Sequence, residues 1–557
     1  MKGTLLIILF LNFISLQVFS QSITNTVHNL SVSGSGDIHA DEESEICIFC
    51  HIPHNSTSSA PLWNRNRDDL VITYTLYNSS TIQANPDQPD GSSILCLSCH
   101  DGTIALGNVV SRTSDISFVS SITTMPDERI SNLKTDLSDD HPISFVFNST
   151  LASSDEQLNY PPTFPVSVDI NDKVQCTSCH DPHKDDNTKF LVASNEYSVI
   201  CISCHDRTSW SGSSHESSTA GWNDIGDDPW GHIDVPYSTV TQNACENCHN
   251  SHSASGEERL LKSDIEENNC LDCHNSNVAL TNIETQMDKD NKHNAYGYTG
   301  IHDATENALI SDFHIECVDC HNPHAVNNAT ASAPDVNGFI TGVQGINQDG
   351  NEVSSISYEY ELCYRCHADN PVKPPATVRM VVQGNVRLEF DNTSASFHPV
   401  AYVGKNSSVP SLYNGWTVAS RTYCTDCHAS DGTAPSGPHG SNYPQILRAY
   451  YNRSPYTNIG EGDFPVEYEL CAICHDVDNL SGVHGSKQSH ILKFTSCNSC
   501  HDPHGSDLPY LLNYDPSVMS GNTAGDNFFD TGNNDCNLKC HLPGKGDTIA
   551  HVKKYAQ

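Results

Sequence analysis

The chain has 557 residues, with 68 acidic against 28 basic side chains and a formal net charge of −40. A surface of that sign repels nucleic acid and phospholipid headgroups, and it suits cationic redox proteins or metal-ion and mineral acceptors. Only 37% of the residues are hydrophobic, which excludes a side-chain core of the size usual for this length.

At the N-terminus, Lys2, the apolar run from Leu5 to Phe19 and the small Ser20 before Gln21 read as an export signal over residues 1–20. The run is shorter than the roughly 20 residues of a membrane span, and no later stretch is long or apolar enough for one. The mature chain is therefore expected outside the cytoplasm, in the periplasm or beyond the cell, with no membrane span.

Residues 21–214 hold four motifs in which a cysteine pair is followed at once by histidine: Cys47/Cys50/His51, Cys96/Cys99/His100, Cys176/Cys179/His180 and Cys201/Cys204/His205. Residues 215–280 hold Cys245/Cys248/His249 and Cys270/Cys273/His274, and residues 281–377 hold Cys317/Cys320/His321 and Cys363/Cys366/His367. In 378–480 lie Cys424/Cys427/His428 and Cys471/Cys474/His475, and in 481–557 Cys497/Cys500/His501 and the wider Cys536/Cys540/His541. The 24 cysteines are thereby exhausted.

This is the attachment pattern of c-type haem, in which two thioethers anchor the vinyl groups and the adjacent histidine becomes the proximal iron ligand. Structural zinc also uses Cys-x-x-Cys pairs, but it has no need of a histidine directly after each one. A disulfide closed across two residues is strained and staples no distant segments. A thioredoxin-like site needs one motif beside a βαβ unit, not a dozen in loop-like sequence. The residues imply twelve covalently attached haem c groups.

The 30 histidines leave ample second ligands. One recurs three residues after a proximal histidine, at His54, His183, His252, His324 and His504, and another upstream, at His28, His141, His232, His314 and His490. The unit is then a histidine, Cys-x-x-Cys-His-x-x-His, and a second Cys-x-x-Cys-His. Six such units follow one another, and in the fifth His398 is the upstream member while His439 stands in for the missing His-x-x-His. These twelve are the expected distal metal ligands. His39, His215, His293, His302, His484 and His551 are left spare. Methionine is a poor rival, since only five are present.

About 45 residues for each motif cannot bury a sufficient side-chain core, so the porphyrins must serve as one. The expected fold is mostly irregular, with short α-helices and a few short β-hairpins wrapped around a chain of haems. Turn-forming residues abound. A hairpin is expected at Val378 to Phe390, where two β-prone runs flank Gln-Gly-Asn. The segment Tyr358-Glu-Tyr-Glu-Leu-Cys recurs as Val466-Glu-Tyr-Glu-Leu-Cys, which marks a modular array.

Cys176-Thr-Ser-Cys-His-Asp-Pro-His and Cys497-Asn-Ser-Cys-His-Asp-Pro-His-Gly resemble the doubled Cys-x-x-Cys-His motif family of exported multihaem cytochromes. The four-motif stretch from His28 to His205 is similar to an N-terminal block of that family. The resemblance implies bis-histidine, low-spin haems in close-stacked chains and a role in electron transfer. Some similar proteins polymerise into extracellular filaments, so a homopolymer is among the expected assemblies.

With both axial positions taken, iron has no open site for substrate, and its chemistry is one-electron exchange. The expectation is an electron conduit and carrier with no catalytic residues. The alternative is a reductase or oxidase of a small nitrogen or sulfur compound, which needs one open haem and nearby acid–base groups.

Overall fold

Every cysteine motif with an intact three-residue step must bring two thiols and a ring to one side of the backbone, and a single helical turn does this. In the computed structural model the proximal histidine N–H bonds back to the first cysteine carbonyl, as in His51 to Cys47 at 2.7 Å, His180 to Cys176 at 3.0 Å and His501 to Cys497 at 2.9 Å. The structure describes residues 23–54, 62–65, 72–256, 258–298, 314–369, 379–432, 435–454, 457–460, 462–480, 492–493 and 495–515. Backbone alone is described at 519–520, 529–530, 535–536 and 539–540. The expected export signal, His302, His484, His490, His541 and His551 lie outside the described residues.

The chain is mostly loop, with short helices and two-residue strand pairs, and forms two compact units. The first comprises Met1–Asp206 and His249–Lys262, and the second Arg207–Cys248 and Ser263–Gln557. Among the described residues no helix is long and apolar enough to cross a membrane.

In the first unit the longest helix, Gly91–His100, carries the second motif. Gly91 begins it at φ +51°, where a Cβ would meet the Gln175 amide at 2.7 Å. That amide is a hub: Ser93 Oγ donates to its oxygen at 2.5 Å, and its nitrogen donates to Asp90 at 2.8 Å. Since Gln175 also precedes Cys176, the hub ties the second motif to the third. Buried Ile48, Phe49, Leu106 and Phe118 pack beside Cys50 and Cys99. The apolar residues therefore gather at the thiols.

In the second unit, helices Glu266–His274 and Glu359–His367 carry the sixth and eighth motifs. Tyr360, Tyr364, Phe390 and Phe397 pack beside Cys424, and Phe464, Tyr468 and Leu492 beside Cys471 and Cys497. A short hairpin pairs Gly345–Ile346 with Glu352–Val353. The hairpin expected at Val378 to Phe390 does not form among the described residues 379–390. Asn385 instead accepts from Arg387 N–H at 3.0 Å and starts the helical turn Val386–Glu389. An asparagine that can cap a helix competes with one that can turn a hairpin, and here the cap prevails. At the wider twelfth motif, Cys536 and Cys540 lie on strand pairs rather than on a helical turn.

Glu359 joins the eighth motif to the ninth, its carboxylate accepting from Cys424 N–H at 2.9 Å and from the Thr425 hydroxyl. Burial pushes its carboxyl from the usual 4.5 up to about 7, against those two donors. A raised acid stabilises the fold below 4.5 and loses that contribution as pH rises through about 7. Denaturant unfolding at pH 5 and pH 8 is therefore expected to show a fall on the order of 3 kcal/mol, which Glu359→Gln abolishes. An equal fall in the variant would contradict it.

Candidate functional site

Nine ring pairs recur among the described histidines. His28 faces His100 at 6.2 Å between ring centres, His51 faces His183 at 6.1 Å, His141 faces His205 at 6.2 Å and His180 faces His252 at 6.3 Å. In the second unit the pairs are His215 with His274 at 6.3 Å, His293 with His367 at 6.1 Å and His321 with His439 at 6.0 Å. His398 faces His475 at 6.4 Å and His428 faces His504 at 6.2 Å. Each pair joins one cysteine-motif histidine to one from elsewhere.

The separations are nearly constant, while the angles between rings run from 10° to 81°. Packing contacts behave otherwise. Near-parallel rings that touch sit much closer, as Tyr298 on His314 at 3.8 Å and His28 on Phe190 at 4.3 Å do. Two imidazole nitrogens at about 2.0 Å from one metal put their ring centres roughly 6.3 Å apart whatever the twist. The gap between these rings fits one iron atom.

In most of these rings the other nitrogen is engaged. Nδ1 of His100 hydrogen-bonds Ser131 O at 2.7 Å, Nδ1 of His215 hydrogen-bonds Pro323 O at 2.8 Å, and Nδ1 of His141 hydrogen-bonds Pro142 O at 3.0 Å. A ring that donates through Nδ1 presents an Nε2 lone pair, the form that binds metal. Burial also lowers His100, His141 and His321, and takes His274, His439 and His475 down to about 4, which keeps these rings neutral. Burial pulls on His252 and His504 as well, but Asp140 and Glu389 outweigh it and hold both above the usual value.

A local device positions several proximal rings. After the motif the chain loops out and returns through a turn whose central carbonyl accepts from Nδ1: Lys189 for His180, Arg259 for His249, Gln445 for His428 and Tyr510 for His501. All four acceptor residues have φ between 61° and 66°. A larger period also exists. His28, His215 and His398 each use Nδ1 to reach the proline carbonyl of a Cys-His-x-Pro-His segment, at Pro182, Pro323 and Pro503. The contacts thus repeat every four motifs, in blocks beginning at Cys47, Cys245 and Cys424.

The thiols follow chain order. Cys96 and Cys176 are within hydrogen-bonding reach, and so are Cys270 and Cys317, Cys363 and Cys424, and Cys471 and Cys497. Between these contacts, Cys99 raises the Cys50 thiol and Cys179 raises Cys204, in both cases after burial. Burial and then neighbouring thiols push Cys50 up to about 12.

The four close contacts all join first cysteines of their motifs. Cys273, Cys366 and Cys500, each expected to anchor a haem with its first cysteine, lie at the C-terminal ends of the turns that carry their motifs. Cys273 is half-buried near the end of helix Glu266–His274, and its carbonyl accepts from Ala279 N–H at 2.9 Å. Cys500 is half-buried too, donating its N–H to Cys497 O at 3.1 Å and accepting from Asn513 N–H at 2.9 Å. Cys366 is exposed near the end of helix Glu359–His367, and its thiol adds to the rise of half-buried Cys320. No cysteine with a described side chain forms a disulfide. The sole described group of three metal-type side chains, Glu389, Asp502 and His504, contains no cysteine.

Of the expected distal histidines, His28, His141, His183, His252, His398, His439 and His504 face proximal rings. Several cross the two-motif units, as His183 does in facing His51 and His439 in facing His321. His215 and His293, counted as spare, also face proximal rings. Their signal was position within the four-motif block, whereas distance to the nearest motif favoured His232 and His314. His232 instead turns Nε2 to Glu246 O at 2.7 Å, and His314 stacks on Tyr298. His324 lies edge-on to Trp210 at 6.3 Å. Spare His39 bonds Gly36 O at 2.8 Å. His54 is exposed and has no hydrogen-bond or ring partner among the described residues.

Residues 169–209, 238–279 and 490–524 match the family model of the doubled CXXCH motif. These segments contain the third to sixth motifs and the eleventh. No curated protein is significantly similar to the chain.

Proposed function

We propose that this chain, which carries the doubled CXXCH motif, is an exported dodecahaem electron conduit whose irons are held between two histidines. The observation that carries the reading is the constant gap between paired rings at every angle, each pair having one member beside a cysteine motif. Haem c bound there supplies one-electron exchange at an iron without a vacant face. Cysteine thiols anchor the groups in chain order, which supports transfer along the sequence. Buried tyrosine, phenylalanine and leucine at the thiols exclude water and supply the low-dielectric surroundings that set potential. The fifth unit, which lacks the His-x-x-His, is where an open, substrate-binding iron would be sought. His398 opposite His475 and His504 opposite His428 argue against that role.

Haem content measured beside the EPR spectrum of the ferric protein tests the reading. About twelve haems per chain with low-spin signals alone are expected. A high-spin signal approaching one haem per chain would favour a reductase or oxidase with one open site.

A second reading, assembly into a homopolymer, is favoured by His54. In the later blocks the ring after the first motif reaches back beyond its block, His252 to His180 and His439 to His321. His54 follows the first motif of the first block and is exposed. It is suited to close an iron site in a second copy. His54→Ala is expected to shorten assemblies seen by electron microscopy, and unchanged assemblies would rule this role out.

A further inference from the structure

The Nδ1 acceptors of the axial rings are mostly neutral oxygens, but two of them are buried carboxylates. His252 Nδ1 meets Asp140 Oδ1 at 2.9 Å, and His504 Nδ1 meets Glu389 Oε2 at 2.9 Å. The carboxylate side chains are 5% and 11% exposed, so solvent does little to screen them. Asp181 near His183 is a weaker case, at 3.3 Å and on an exposed ring. At the opposite extreme, His439 Nδ1 is buried with no hydrogen-bond partner among the described residues.

We propose that Asp140 and Glu389 are positioning residues that hold the third and ninth haem sites at the lowest potentials of the chain, while unsupported His439 leaves the seventh among the highest. The inference rests on the bis-histidine reading above. A carboxylate that draws the Nδ1 proton makes the ring a stronger donor and stabilises the more positive, ferric iron. A ring whose Nδ1–H has no acceptor is the poorer donor.

The two carboxylates are not equal. Among the described residues Asp140 Oδ2 is buried without a hydrogen-bond partner, so its charge is directed at His252, with a 3.3 Å contact from Ser253 N–H on the shared oxygen. Glu389 belongs to a cluster with Asp502, which Arg379 pairs at 3.3 Å and partly neutralises. The Asp140 site is the lower of the two. Electrons pass both sites as steps in a profile rather than along a level path.

The test is an EPR-monitored redox titration of the haem-loaded chain and its variants. Asp140→Asn keeps the shape and removes the charge. Its lowest midpoint is expected to rise by an amount equivalent to about a tenfold change in the ferric-to-ferrous ratio, about 59 mV for one electron. Glu389→Gln moves a second site less, and Asp140→Glu restores the wild-type midpoint. Low-spin content stays constant throughout, which a merely structural lesion would not give. His252→Ala is the control. If it leaves every haem low-spin, the axial reading itself fails. If it opens a high-spin site while Asp140→Asn leaves all midpoints in place, this inference alone is overturned.

Discussion

Replacing Arg65 with methionine is expected to destabilise the first unit by about 3 kcal/mol. The guanidinium is 1% exposed and donates to three backbone carbonyls, Leu106 O at 2.8 Å, Ala105 O at 2.9 Å and Ser98 O at 3.0 Å. Ser98 lies between Cys96 and Cys99, so one fork joins the second motif to the loop that follows it. Among the described residues no carboxylate pairs with this charge. Methionine fills a similar volume but leaves three buried acceptors without donors, each costing about 1–3 kcal/mol. Relief of the buried charge offsets part of that loss. Lysine is expected to rescue little, because an ammonium cannot present the fork that reaches carbonyls on two sides. Denaturant titration of the haem-loaded protein, followed by circular dichroism, should show a lower midpoint at unchanged slope. A loss under about 0.5 kcal/mol would mean that the carbonyls find other donors.

The cysteine motifs were legible because their chemistry demands contiguous residues, and so was a loop-rich fold, since sparse apolar residues cannot close a core without another filler. What faces each proximal ring was less legible. His183 and His252 follow their motifs in the same way, yet one reaches back within its block and the other beyond it, a choice made by the path of the chain. The returning loops left little trace either. Lys189, Arg259, Gln445 and Tyr510 take up left-handed backbone without being glycine, so the usual turn signal is missing. What they share is a following apolar residue and then leucine, as in Phe190-Leu191, Leu260-Leu261, Ile446-Leu447 and Leu511-Leu512. The Val378 to Phe390 segment failed for a different reason. Its composition favoured strands, but Asn385 supplied a helix cap and Arg387 paired with Asp369 at 3.0 Å.

The sharpest contrast between spacing and structure concerns His215 and His232, and it leads to the second large effect. His232 stands nearer to Cys245, but His215 is the ring that faces His274 at 6.3 Å. His215 matches His28 and His398 in the four-motif period, since all three anchor Nδ1 on the proline carbonyl of a Cys-His-x-Pro-His segment. His215→Ala is therefore expected to convert about one haem per chain from low-spin to high-spin ferric iron, because it removes an axial donor. Added imidazole should restore the low-spin signal by filling the space the ring has left. His232→Ala should leave the spectrum as it is, since that ring spends Nε2 on the Glu246 carbonyl at 2.7 Å. The reverse result, an open iron in the His232 variant and none in the His215 variant, would remove the four-motif period as the rule for axial pairing. It would also favour the two-motif unit, in which His232 is the upstream histidine of the third pair of motifs.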